Sequence, residues 1–201
     1  MVRRRRNFKP VFIIVPDAYA DTHTMAIPKV YYVGDYTERG TSGSFIIMEY
    51  LNFSGRKASS QRDLGEALAK MHLSTASHPK AKEGYFGFDI DNTIGGTPQP
   101  NGWEKDWVTF FRTNRLEHQL KLANDSKLSK LGKVLCDNLE MFFPPDMVIT
   151  PSILHGDLWS GNIASVDGKP SLFDPACYFG HHEAEFGMSW YVCYDSIQHP
   201  S

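Results

Sequence analysis

Hydrophobic positions along this chain follow two periods. Phe45-Ile46-Ile47-Met48-Glu49-Tyr50-Leu51 is an apolar, β-prone run bounded by Gly43 and by Ser54-Gly55, and it predicts a buried strand running into a connector. Tyr31-Tyr32-Val33 predicts its neighbour, with the turn at Thr41-Ser42-Gly43. Leu64, Ala67, Leu68 and Met71 then recur at helical spacing behind the cap candidates Ser59 and Ser60. Gly84 to Pro100 is rich in Gly, Asn, Asp and Pro and predicts mostly loop. A helical stripe resumes with Trp103, Trp107, Phe110, Phe111 and Asn114 and continues through Leu116, Leu120 and Leu122. A further amphipathic helix follows from Leu128, Leu131, Leu135, Leu139 and Phe142, stopped by Pro144-Pro145. A strand pair, then helices, then short strands is an α+β order, and no βαβ unit repeats.

The sharpest local signal comes late. Asp167-Gly168 between apolar residues predicts a two-residue hairpin turn. That turn sets Asn162 opposite Phe173, with Asp174 one step further along. Asp157 lies five residues before Asn162, in a loop too glycine-rich for helix or strand. The reading therefore gathers three oxygen-bearing side chains at one end of a β-ribbon. Hard oxygen ligands beside substrate phosphates are how Mg2+ is usually held. A separate carboxylate can take the proton of an attacking hydroxyl. Asp-x-x-x-x-Asn, a hairpin and a second Asp form the metal-and-base half of a kinase-type phosphotransferase.

Composition narrows the alternatives. The chain has 201 residues, 41% of them hydrophobic and 22% charged, which suits a soluble globular protein. A net charge of -2 argues against a protein that coats nucleic acid or an acidic membrane. The early apolar run Val11 to Val15 is far short of the ~20 residues that span a bilayer. The three cysteines, Cys136, Cys177 and Cys193, form no C-x-x-C pair and read as free thiols of a reducing compartment. The basic run Arg3 to Arg6 reads as a solvated terminus.

The motifs carry a family resemblance. HGDLWSGN at His155 to Asn162 and DPACYFG at Asp174 to Gly180, continuing through His182 to Trp190, resemble the fructosamine-3-kinase (ketosamine-3-kinase) family. So do FIIMEYL at Phe45 to Leu51, LAKMH at Leu68 to His72, GFDIDNTIGGTPQPNGWEKDWVTFF at Gly87 to Phe111 and RLEHQLKLA at Arg115 to Ala123. The resemblance implies a protein-kinase-like α+β fold, mostly the helical C-terminal lobe, with a remnant of the N-terminal β lobe. Residues 27–51 would be that remnant and the connector, 52–201 an incomplete helical lobe, and 1–26 an unmatched segment. It implies Asp157 as catalytic base, Asn162 and Asp174 as Mg2+ ligands, and Glu49-Tyr50-Leu51 as the connector whose backbone binds the adenine of ATP. Trp159 either lines the ketosamine pocket or packs in the core. The implied reaction moves the γ-phosphate of ATP to O3 of a ketosamine, such as a glycated lysine, in protein deglycation. A cytoplasmic location is expected, with an organelle location of a longer form left open; no nucleic-acid or membrane partner is expected.

The departures set further expectations. The first glycine is Gly34, and Lys9 and Lys29 are the only lysines before the strand leading to Met48. A phosphate-covering glycine-rich loop and its lysine have no counterpart, so a truncated form with impaired activity is expected. A fragment that binds nucleotide or ketosamine without turnover is the alternative. A metallophosphoesterase is a third reading, from Asp21-Thr22-His23, Gly156-Asp157 and Gly161-Asn162, but Ile163 stands where a histidine ligand is needed. His181-His182-Glu183 reads as a helix start, with Glu183 and Glu185 in its first turn, rather than as a metal site. His155 reads as a brace for the catalytic loop.

Overall fold

Two strands, β1 (Val30–Glu38) and β2 (Thr41–Met48), pair antiparallel with Val33 opposite Ile46 and Gly34 opposite Phe45. The computed structural model describes residues 24–38, 40–54, 59–74 and 78–189. The expectations for Arg3 to Arg6, Val11 to Val15, Asp21 to His23 and Cys193 fall outside them. The ribbon closes at Glu38 opposite Thr41, with Gly40 at φ 78, so the turn precedes Thr41-Ser42-Gly43, which are strand. The strand was expected to be buried, but Phe45, Ile47 and Met48 are exposed. Among the described residues the ribbon is a sheet of two strands, with no third strand to cover it.

Helix α1 (Ser59–Leu73) follows the expected period and buries Ala67, Leu68 and Met71 against β6 (Ser152–Leu154) and β8 (Lys169–Leu172). Full burial of a Leu or Met side chain is worth about 1.5–3 kcal/mol, so this face secures the helix. The short α2 (Pro79–Lys82) follows. The segment predicted as loop contains a small hairpin, β4 (Asn92–Ile94) and β5 (Thr97–Gln99). Trp103 does not belong to the next helix. Its ring stacks on His78 at 4.8 Å, and α3 (Trp107–Phe111) starts only after Asp106, whose carboxylate accepts from the Thr109 N–H.

From α3 the chain passes through a π-helical segment (Arg112–Glu117) into α4 (His118–Ala123) and, after an Asp125 cap, α5 (Ser126–Asp137). Of the expected stripe, Leu128, Leu131, Leu135 and Phe142 are exposed and Leu139, in the 3-10 segment that follows (Leu139–Phe142), is buried; within α5 the buried residues are Gly132 and Cys136. Gly132 brings α5 onto the Leu120 side chain of α4, and that close approach selects the glycine line for the inner face. Strands β6 and β9 (Tyr178–Gly180) pair in the core with Phe110, Trp107, Phe88 and Met71 around them. Among the described residues no helix is long and apolar enough to cross a membrane.

Candidate active site

Strands β7 (Ile163–Val166) and β8 form the hairpin expected from Asp167-Gly168. Both turn residues have positive φ (50° and 79°), the geometry that follows the twist of the strands. Ile163 faces Leu172, and the Phe173 N–H donates to the Asn162 carbonyl at 3.2 Å, so the register is the expected one. Asn162 and Asp174 thus stand at the foot of the ribbon. Asp174 adopts φ 54, a left-handed conformation uncommon outside glycine, and is exposed.

The loop of Asp157 begins where β6 ends and is held by a buried carboxylate. Glu185 accepts the His155 N–H at 2.7 Å and the Gly156 N–H at 3.0 Å, and meets His72 Nε2 at 3.3 Å. Gly156 has φ 76, and a Cβ there would stand 2.3 Å from the Ala176 carbonyl oxygen, so only glycine lets the two loops meet. The Ala176 N–H donates to the His155 carbonyl at 2.9 Å. The His155 ring joins the same loops: Nε2 lies 3.0 Å from the Phe173 carbonyl, and Nδ1 accepts the Asp157 N–H at 3.3 Å. A carbonyl can only accept and the Asp157 amide can only donate, so the imidazole is neutral with its proton on Nε2. Burial lowers the His155 pKa, outweighing the nearby Glu185 charge and the Phe173 carbonyl.

Asp157 and Asn162 touch. The Asn162 amide donates to the Asp157 carboxylate at 3.2 Å and to its carbonyl at 2.9 Å, with the Asp174 carbonyl 3.5 Å away. Burial raises the Asp157 pKa and the Asp174 charge adds to it, against the opposing pull of His155 and of the Asn162 hydrogen bond. The structure therefore brings Asp157, Asn162 and Asp174 together. Asn162 has its NH2 committed, and among the described residues neither its Oδ1 nor the Asp174 carboxylate takes a hydrogen bond. An amide oxygen and a carboxylate that take no hydrogen bond among the described residues, beside a second carboxylate, fit Mg2+ by their chemistry.

The connector reaches the same place. The Glu49 N–H donates to the Lys29 carbonyl at 2.7 Å and the Glu49 carboxylate accepts the Lys29 N–H at 3.2 Å, while Tyr50 is 89% exposed and Leu51 half-buried. Directly after it, β3 (Phe53–Ser54) pairs with β7, and the Phe53 ring stacks at 5.3 Å on Phe173, the residue before Asp174. Trp159 is 37% exposed, which removes the core reading; its ring folds over Gly161, where a Cβ would stand 2.3 Å from it.

The helix expected after Gly180 is a short 3-10 helix (His182–Gly187) with Glu183 and Glu185 in its first turn, but Glu185 points into the core, where the two backbone N–H groups of the Asp157 loop satisfy it. Among the described residues no group of three or more His, Cys, Asp or Glu side chains is arranged to hold a metal ion. The role of Glu185 was missed because a carboxylate aimed at distant backbone leaves no periodic trace. Its only sequence signal is an acidic residue among Ala184, Phe186 and Met188.

The fold is the protein-kinase-like α+β fold. It is shared with a thermostable mutant of aminoglycoside phosphotransferase APH(4)-Ia, crystallised with AMP-PNP and hygromycin B (TM-score 0.54, 17% identity, 94% of this chain and 66% of that one). It is also similar to a Haemophilus somnus protein described as a fructosamine-3-kinase (TM-score 0.69, 29% identity, 90% of this chain and 60% of that one). The fructosamine kinase family model matches residues 17–197, and the chain belongs to that family. An Arabidopsis thaliana relative, protein-ribulosamine 3-kinase, chloroplastic, is 46% identical over 179 residues, covering 87% of this chain and 52% of the relative. The chain thus spans about half the length of the curated relatives it matches.

Proposed function

We propose that this chain carries the phosphotransfer centre of an ATP- and Mg2+-dependent ketosamine 3-kinase, acting on fructosamine or ribulosamine adducts of lysine. The single observation that carries the reading is the convergence of Asp157, Asn162 and Asp174 at the foot of one hairpin. In this reading residues 27–51 supply the β lobe and connector and 52–201 the helical lobe. The backbone of Glu49, Tyr50 and Leu51 binds the adenine, and the exposed Trp159 ring lines the sugar pocket. Asp157 orients the sugar O3 hydroxyl and takes its proton as O3 bonds to the γ-phosphorus and the bond to the bridging oxygen of ADP breaks. The Asn162 hydrogen bond holds the Asp157 carboxylate in place, and the neutral His155 keeps the base loop joined to the strand end before Asp174. Asn162 Oδ1 and the Asp174 carboxylate would hold the Mg2+, which supplies neutralisation of phosphate charge.

Binding without turnover is the second reading. It is favoured by the ribbon ahead of the connector, where the Lys29 ammonium lies over the exposed Tyr31 ring at 5.8 Å. Incubation of the chain with ATP, Mg2+ and fructosyl-lysine, read by mass spectrometry, separates the two. A phosphorylated adduct that depends on Asp157 supports the kinase. Bound nucleotide with no phosphorylated adduct supports the binder. For location we propose the cytoplasm, with the chloroplast, named for the Arabidopsis relative, as the alternative that imaging of a tagged chain distinguishes.

A further inference from the structure

The stretch Gly87 to Asn101 takes no part in the chemistry above, yet its buried polar side chains all serve one target. Asn92 and Gln99 are paired residues of the β4–β5 hairpin, each 5% exposed, and Asn101 just beyond is fully buried. Asn92 Nδ2 donates to the Cys177 carbonyl at 2.7 Å. Gln99 Nε2 donates to the Ala176 carbonyl at 2.9 Å and to Asn92 Oδ1 at 2.9 Å. Asn101 Nδ2 donates to the same Asn92 oxygen at 3.0 Å and to the Ile90 carbonyl at 3.1 Å. At the far end Arg115, from the π-helical segment, donates to Asn101 Oδ1 at 2.8 Å and to the Pro100 carbonyl at 2.6 Å, with its guanidinium over the Tyr178 ring at 4.1 Å.

The donors and acceptors of this relay admit one arrangement. Carbonyls only accept and a guanidinium only donates, so Asn92 and Asn101 must present their NH2 to the main chain and their oxygens to the relay, while the Gln99 NH2 spans the Ala176 carbonyl and the Asn92 oxygen. Reversing any one of them sets two acceptors or two donors face to face. Burying three amides costs several kcal/mol unless every group is paired, which an apolar filling would avoid. What the arrangement secures is the stretch two and three residues past Asp174. There the Ala176 N–H is taken by the His155 carbonyl, while the Ala176 and Cys177 carbonyls are taken by side-chain amides.

We propose that Asn92, Gln99 and Asn101 are positioning residues that set where Asp174 stands relative to Asp157. The functional part rests on the reading of Asp174 as a cation ligand; the mechanical part does not. Asn92→Asp and Gln99→Glu keep shape but turn a donor toward a carbonyl into an acceptor. In the 201-residue chain, hydrogen exchange over residues 173–178 is expected to quicken about tenfold, the effect of one lost hydrogen bond, while α1 and β7–β8 stay within about twofold. The Mg2+ concentration at half-saturation of ADP binding is expected to rise about fivefold or more. Should those variants not fold, Arg115→Lys weakens the relay from its far end and gives the same pattern in milder form.

Unchanged exchange at 173–178, or exchange raised evenly through the fold, overturns the proposal. Local loosening with the wild-type Mg2+ dependence retained overturns the link to Asp174. If the wild type and Asp174→Asn bind ADP alike with and without Mg2+, the reading of Asp174 fails instead, and the exchange pattern still decides the mechanical part.

Discussion

The Asn162 side-chain amide donates to the Asp157 carboxylate across 3.2 Å. In the proposed function one residue thereby performs two tasks: its nitrogen orients the proposed base, and its oxygen is left for the proposed cation. The pairing needs both the Asp-Gly hairpin, which places Asn162, and the Glu185 clamp, which places the loop of Asp157.

Asp157→Asn is expected to lower phosphotransfer about 10²–10⁴-fold, the usual contribution of a positioned general base. It should not lower stability at neutral pH. Burial holds the Asp157 pKa above 3.8, so the folded chain binds that proton more readily than the unfolded chain. The corresponding stability is present in acid and lost as pH rises through the folded pKa. A melting temperature at pH 7 equal to or above wild type, with any gain gone by about pH 4, is the expected result of calorimetry at both pH values.

His155 works in the opposite direction. Its folded pKa lies below the ordinary 6.5, so below that pH the unfolded chain binds more protons and stability falls with acidification. Buried His181, also lowered by burial and by His182, adds to the same slope. Melting temperatures between about pH 7.5 and 5.5 should fall, and His155→Gln should flatten part of that fall. A wild-type curve that rises toward acid would contradict the neutral, Nε2-protonated ring.

Glu185→Ala leaves the buried His155 N–H, the partly buried Gly156 N–H and His72 without their carboxylate, and should cost about 3 kcal/mol or more. Glu185→Gln keeps one acceptor oxygen and should cost less. Denaturant midpoints order the variants as wild type, Gln, Ala. An alanine variant as stable as wild type would remove the clamp from the account.

The hairpin was legible because Asp-Gly dictates turn type, turn type dictates register, and register carries Asn162 to Phe173 without further information. The helix of Leu64 to Met71 was legible because its burial follows one period. The inner face of α5 was not, because a glycine approach to Leu120 outranked the leucine stripe in choosing which side faces in. Burial of the first ribbon was misread because apolar strand composition does not say whether a second layer exists. Glu185, Asn92 and Gln99 act by bonding main chain 29 to 85 residues away in sequence, Asn101 acts through Asn92, and no local spacing encodes such contacts.

The most direct test of the central claim is calorimetric titration of ADP into the chain with Mg2+ and with chelator, for wild type and Asp174→Asn. The account expects wild type to bind about tenfold more tightly with Mg2+, and the variant to lose that difference while its metal-free binding stays the same. Equal Mg2+ dependence in the two proteins would contradict the assignment of the hairpin foot as the phosphotransfer centre.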